Sequence, residues 1–111
     1  MSEQYKVIVT PEAQQDIRLI INYIADELKA PQAAINLTDL FKENIKGLSV
    51  LPKRFKVIDE QPWADEGVRK AIVKNYYVYY AVNDDDLTVY ITAVIYAGMD
   101  QGKQISKRSN N

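Results

Sequence analysis

The chain contains neither cysteine nor histidine. Without cysteine there is no disulfide framework and no thiolate metal site, while the redox compartment stays open because a cysteine-free chain suits either. Without histidine the usual metal ligand and the usual proton shuttle at neutral pH are missing, so a Ser-His-Asp relay or a zinc-bound water is unavailable. Glycine and proline are sparse, at four each among 111 residues. No segment approaches the roughly 20 apolar residues needed to cross a bilayer. Residues 1–6 carry neither the basic stretch nor the apolar run of a signal peptide, so the expected location is the cytoplasm, with no membrane partner. Charge of one sign is lacking too: 14 Lys plus Arg face 15 Asp plus Glu, a formal net charge of -1. Nothing global draws such a chain to polyphosphate, and any nucleic-acid contact needs a local basic patch.

A chain of 111 residues has room for one core. Residues 5–9 form a β-type run that stops at Thr10-Pro11, where the threonine caps a helix whose first position is the proline. Ala13, Ile17, Ile20, Ile21, Ile24 and Leu28 then recur at three- and four-residue steps, with polar residues including Asp16, Asp26 and Glu27 on the other side. Lys29-Ala30-Pro31 breaks the pattern, and Ala34, Leu37, Phe41, Ile45 and Leu48 start a second helix. The two are expected as an antiparallel hairpin. Residues 51–67, punctuated by Pro52, Pro62 and Gly67, read as an ordered loop.

Three β-type runs follow at 68–74, 76–82 and 87–96, with turns at Asn75 and at 83–86 short enough for an antiparallel meander. The fold class is therefore α+β in the order β-α-α-β-β-β, a helical hairpin on a small, mostly antiparallel sheet. Residues 1–100 form the single domain, and 101–111 a polar C-terminal tail. Strict alternation puts Val78, Tyr80, Val82, Val89, Ile91, Ala93 and Ile95 under the helices and Tyr77, Tyr79, Tyr90, Thr92 and Tyr96 outside.

Tyrosine is the abundant oddity, with Tyr76, Tyr77, Tyr79 and Tyr80 inside five positions. An outer face holding Tyr77, Tyr79, Tyr90 and Tyr96 beside Arg69, Lys70 and Lys74 has the stacking surfaces and charge to hold a nucleic acid or a partner peptide. Against that stands the strand propensity of tyrosine, which suits a half-covered sheet. Arg69 is singled out because it opens an expected central strand, where an arginine is tied to a carboxylate or held toward a ligand. Arg69, Lys70, Tyr77, Tyr79 and Tyr90 are expected close together. The acidic clusters, Asp16 with Asp26 and Glu27 and the run Asp84-Asp85-Asp86, read as a solvated helix side and a turn. No calcium loop, P-loop or dinucleotide fingerprint is present, so neither cofactor nor metal is expected.

The opening YKVIVTPEAQQDIRLIINYI, the helix ending GLSVLPKRF, the phrase GVRKAIVKNYYVYYAV and the closing TVYITAVIYAGMD together resemble the RelE/ParE toxin superfamily over about residues 5 to 100. The resemblance implies the toxin half of a bacterial type II toxin-antitoxin pair, neutralised by a cognate antitoxin protein. Its members divide by target, some cutting mRNA on the ribosome and ParE-type members poisoning DNA gyrase. Placed on this chain, the ribonuclease set keeps Lys70. Its companion two residues on is Ile72, its next arginine falls near Tyr77, and its last falls at about Gly98 or Met99. Arg69 and Lys70, with Lys74 or Lys103, are what remains to hold phosphorane charge. The expectation is thus a ParE-like gyrase poison. The alternatives are a ribosome-dependent endoribonuclease using Arg69 and Lys70, and a non-toxic protein-binding module of the same fold.

Overall fold

A computed structural model describes residues 4–98. Strand β1 (Lys6–Val9) leads into helix α1 (Pro11–Asn22), which runs on as a π-helical turn (Tyr23–Glu27) before helix α2 (Pro31–Gly47). A single 3-10 turn (Pro52–Arg54) lies in the long connection to the meander β2 (Arg69–Val73), β3 (Tyr76–Asn83) and β4 (Thr88–Tyr96). The sheet order is β1-β4-β3-β2, with β1 parallel to β4 and the meander antiparallel. The α+β architecture and both helices agree with the sequence reading. The strand opened by Arg69 is an edge strand instead of a central one, because β1 inserts on the far side of β4.

Local chemistry explains the elements. Thr10 stays extended and its Oγ1 accepts from the N–H of Ala13 at 3.3 Å, a cap of the kind that contributes about 1 kcal/mol. Pro11 at the first helical position loses no hydrogen bond. Toward its C-terminal end the helix loosens: the N–H of Leu28 reaches back to the carbonyl of Tyr23, and that of Ala30 to the carbonyl of Ile24. The π turn rotates each residue by less than an α-helical step. Ile24 is half-buried while Leu28, expected in the same stripe, is 56% exposed.

Two apolar layers sandwich the sheet. On the helix side Leu37, Phe41 and Ile45 of α2 and Leu48 at its C-terminal cap pack with Ala13 against Val78, Tyr80, Val89, Ile91 and Val94. Phe41 meets Tyr76 edge-on at 5.5 Å, a geometry that adds about 1 kcal/mol to the area buried. On the other side the 51–67 connection is the ordered element the sequence indicated: Ile58 and Trp63 close over Tyr79, Ala93 and Ile95. Trp63 meets the ring of Tyr79 at 5.7 Å.

A β-bulge decides which residues join which layer. Tyr79 pairs with Ala93 but Tyr80 pairs with Ile91, leaving Thr92 as an extra residue in β4. From that point the alternation of β4 inverts. Ala93 and Ile95, expected under the helices, lie in the outer layer, and Tyr96, expected outside, lies on the helix side against Tyr76. The carboxylate of Asp16 accepts from the N–H of Val94 at 2.9 Å, just past the bulge. Asp16 therefore ties α1 to the sheet and is not simply part of a solvated helix side.

Candidate functional site

Neighbours along a strand point to opposite faces. Arg69 pairs with Tyr80 and Lys70 with Tyr79, so Arg69 projects to the helix side and Lys70 to the outer side. The two do not converge, contrary to the expected cluster. The Arg69 guanidinium donates through Nη1 to the carbonyls of Phe55, at 2.6 Å, and Lys53, at 3.2 Å. It is held neither by a carboxylate nor toward an open site, but anchors the start of the long connection. Tyr80 reinforces that anchor, its buried hydroxyl donating to the carbonyl of Pro52 at 2.6 Å, and burial pushes its pKa up to about 12.

The remaining basic residues of this corner are engaged as well. Arg54 donates to the carbonyls of Val50 and Leu51 and lies 4.8 Å from the centre of the Phe55 ring. Lys53 pairs with Asp84, whose other oxygen accepts from Tyr5 at 2.8 Å. These contacts hold the Asp84 carboxyl below the usual range, the Lys53 hydrogen bond first and Tyr5 second.

On the outer face the ammonium of Lys70 sits 4.1 Å above the centre of the Tyr77 ring. Beside it is a shallow depression of about 220 Å³ lined by Lys56, Lys70, Asp59 and Glu60. Two lysines and two carboxylates there leave little net field to gather a phosphate. Tyr79 has no exposed surface, and burial raises its hydroxyl pKa, so it supports the fold and offers no stacking face. Tyr90 does lie on the outer side, at the acidic end, its hydroxyl donating to Asp86 at 3.1 Å. Lys74 is exposed at the β2–β3 turn with φ of +52°. Lys103 lies outside the described residues. Lys70, Tyr77, Tyr79 and Tyr90 thus share a face as expected, while Arg69 and Tyr96 are on the other.

What the sequence reading missed is on the helix side. A groove of about 720 Å³ runs between the helices and the edge strand β1, floored by Val7, Val9, Ile17, Phe41 and Ile45, with Lys42 and Lys46 also lining it. A second, of about 570 Å³, lies at the other end of α1 among Leu19, Tyr23, Leu28, Tyr76 and Tyr96. One signal for it was available: Leu19 and Tyr23 stand four residues apart, beside the main stripe and not within it. Both grooves are hollow apolar surfaces of the type that takes up a protein segment.

The family model described as the ParE toxin of the type II toxin-antitoxin system parDE matches residues 7–101. In structure the chain is similar to one from the chromosomal ParDE TA system of P. aeruginosa, at 18% identity and a TM-score of 0.70, over 86% of this chain and 98% of that one. It is also similar to a chain of the RelBE2 toxin-antitoxin complex of Mycobacterium tuberculosis, at 22% identity and a TM-score of 0.58, over 84% and 91% respectively. No curated protein matches it.

Proposed function

The chain belongs to the ParE toxin family of type II toxin-antitoxin systems, and on that premise we propose that it halts bacterial growth by docking onto DNA gyrase and is silenced by a cognate antitoxin. The observation that carries the gyrase reading over the ribonuclease one is the divergence of Arg69 and Lys70. Cleaving a phosphodiester needs a group to activate the 2'-hydroxyl and cations converging on the developing phosphorane. Here the arginine is bonded to two backbone carbonyls on the helix side, and the lysine lies over Tyr77 on the outer side. Inhibition through surface complementarity makes no such demand.

The antitoxin is assigned to the groove beside β1. Its floor takes apolar side chains, the stretch of β1 edge between the Tyr5–Ser49 bond and the Gln14 bond to Val9 can meet a partner backbone, and Lys42 and Lys46 favour a segment carrying acidic residues. Reversing both lysines to glutamate is expected to weaken the complex and to remove most of its salt dependence. Unchanged affinity at low salt would move the antitoxin elsewhere.

The target is tested by tightly controlled expression with separate labelling of new DNA and new protein, together with a supercoiling assay on purified gyrase. Early arrest of DNA synthesis with loss of supercoiling is the expected result. Early arrest of translation with transcripts cut on the ribosome would instead establish an mRNA endoribonuclease, working from the Lys70 and Tyr77 side. Unimpaired growth would leave a non-toxic binding module of the same fold.

A further inference from the structure

The groove at the C-terminal end of α1 is separate from the one assigned to the antitoxin, and bare apolar side chains stand along it. Leu19, Tyr23 and Leu28 are 58%, 56% and 56% exposed, beside a hollow that also reaches Ile20, Ile24 and Tyr76. Soluble domains rarely leave such a cluster uncovered without a partner. We propose that the partner is a second copy of this chain, its α1 lying antiparallel on the first across a two-fold axis at Asn22.

Shape and charge both favour a copy of the same chain. A two-fold interface sets one patch against itself, so it needs a projection and a hollow side by side. Leu19 and Tyr23, one turn apart, are the projection, and the hollow beside Tyr76 receives the same two side chains of the other copy. Next to that ridge Arg18, Asn22 and Asp26 follow at four-residue steps, all exposed. In the π turn four residues fall just short of a full turn, which keeps Asp26 on the side of Asn22. Arg18 donates to Gln15 of its own helix at 2.7 Å, and neither Arg18 nor Asp26 is in an ion pair among the described residues. Across a two-fold axis the same flank of each antiparallel helix meets. With Asn22 at the axis, Arg18 of each copy therefore faces Asp26 of the other. An acidic segment of the kind assigned to the first groove would instead meet the like charges of Asp26 and Glu27, both exposed on the π turn. The three bare side chains offer roughly 300 Å² per copy, against about 800 Å² in a standard interface, so the dimer is a weak one.

Sedimentation equilibrium of the purified full-length chain tests this. The wild type should exchange between monomer and dimer in the micromolar range, and Tyr23→Ser should weaken the dimer at least about tenfold. Arg18→Asp and Asp26→Arg should each be monomeric alone, since both set like charges across the axis. An equimolar mixture of the two should recover the dimer, because every pair across the axis is then opposite in sign. That recovery also shows that both variants are folded. The chain has no native cysteine, so a single cysteine reports the axis directly. Under mild oxidant Asn22→Cys should link two copies at least about tenfold faster than Ile72→Cys, because the dimer raises the effective concentration of thiol at the axis alone. Ile72 is a suitable control, being 64% exposed on the outer face of the sheet. A wild type still monomeric at about 1 mM, a mixture that does not recover the dimer, or equal linking at the two cysteine positions would overturn the proposal. A monomeric wild type whose antitoxin binding is lost in Tyr23→Ser would overturn it too, and would give this groove to the antitoxin.

Discussion

Asp16, in the second turn of α1, accepts a hydrogen bond from the backbone N–H of Val94, 78 residues further along the chain. The bond falls two residues past the extra residue Thr92 and links the first helix to the last strand where β4 inverts its alternation. One carboxylate thereby holds the two ends of the domain in register.

Removing it should be costly. Asp16→Ala leaves the buried backbone N–H of Val94 without this acceptor, and a lost hydrogen bond to a charged group typically costs about 1.5–3 kcal/mol. Asp16→Asn keeps an acceptor oxygen and should lose less. Urea unfolding midpoints check the order wild type, Asn, Ala. An Ala variant as stable as the wild type would show that the contact is incidental.

Arg69 and Lys70 should separate in their effects despite being adjacent. Arg69→Ala frees the carbonyls of Lys53 and Phe55 from their anchor and is expected to reduce stability by about 1–3 kcal/mol. Lys70→Ala loses only a cation–π contact at the rim of the outer face, roughly 0.5–1 kcal/mol. It should leave gyrase inhibition intact. Loss of toxicity in Lys70→Ala with stability preserved would return the chain to the ribonuclease reading.

Acid should loosen the corner built on Asp84. Its pKa is lowered in the folded state, mainly by the Lys53 hydrogen bond and then by Tyr5, below the ordinary 3.8. A depressed carboxyl pKa contributes stability above the unfolded value, and that contribution fades as pH falls through the folded one. The wild type should therefore lose stability on acidification below about pH 4 more steeply than Asp84→Asn, whose side chain does not titrate. The pair is exposed, so the difference should shrink at high salt. Parallel acid limbs in the two proteins would rule the linkage out.

How much of this was readable in advance depends on whether the feature is local. Thr10-Pro11 signals its own cap, the three- and four-residue spacing from Ala13 and from Ala34 signals two amphipathic helices, and alternating β-branched and aromatic residues signal three strands. All of these are set within a few residues of chain. Even the divergence of Arg69 and Lys70 follows from the period of a strand, since neighbours in it cannot share a face. Three outcomes were not legible in the sequence. The bulge at Thr92 carried Ala93, Ile95 and Tyr96 to unexpected sides, because an extra residue is accommodated where two strands meet and leaves no mark in one of them. The π turn left Leu28 exposed, by backbone bonding that apolar spacing does not encode. Trp63 covered Tyr79, one member of the expected tyrosine platform, since which face a long connection crosses is decided by the apolar surface it can bury there. By itself the sequence determined the elements and their order. The tertiary structure decided which faces remain open to a partner, because exposure is a property of everything packed around a residue.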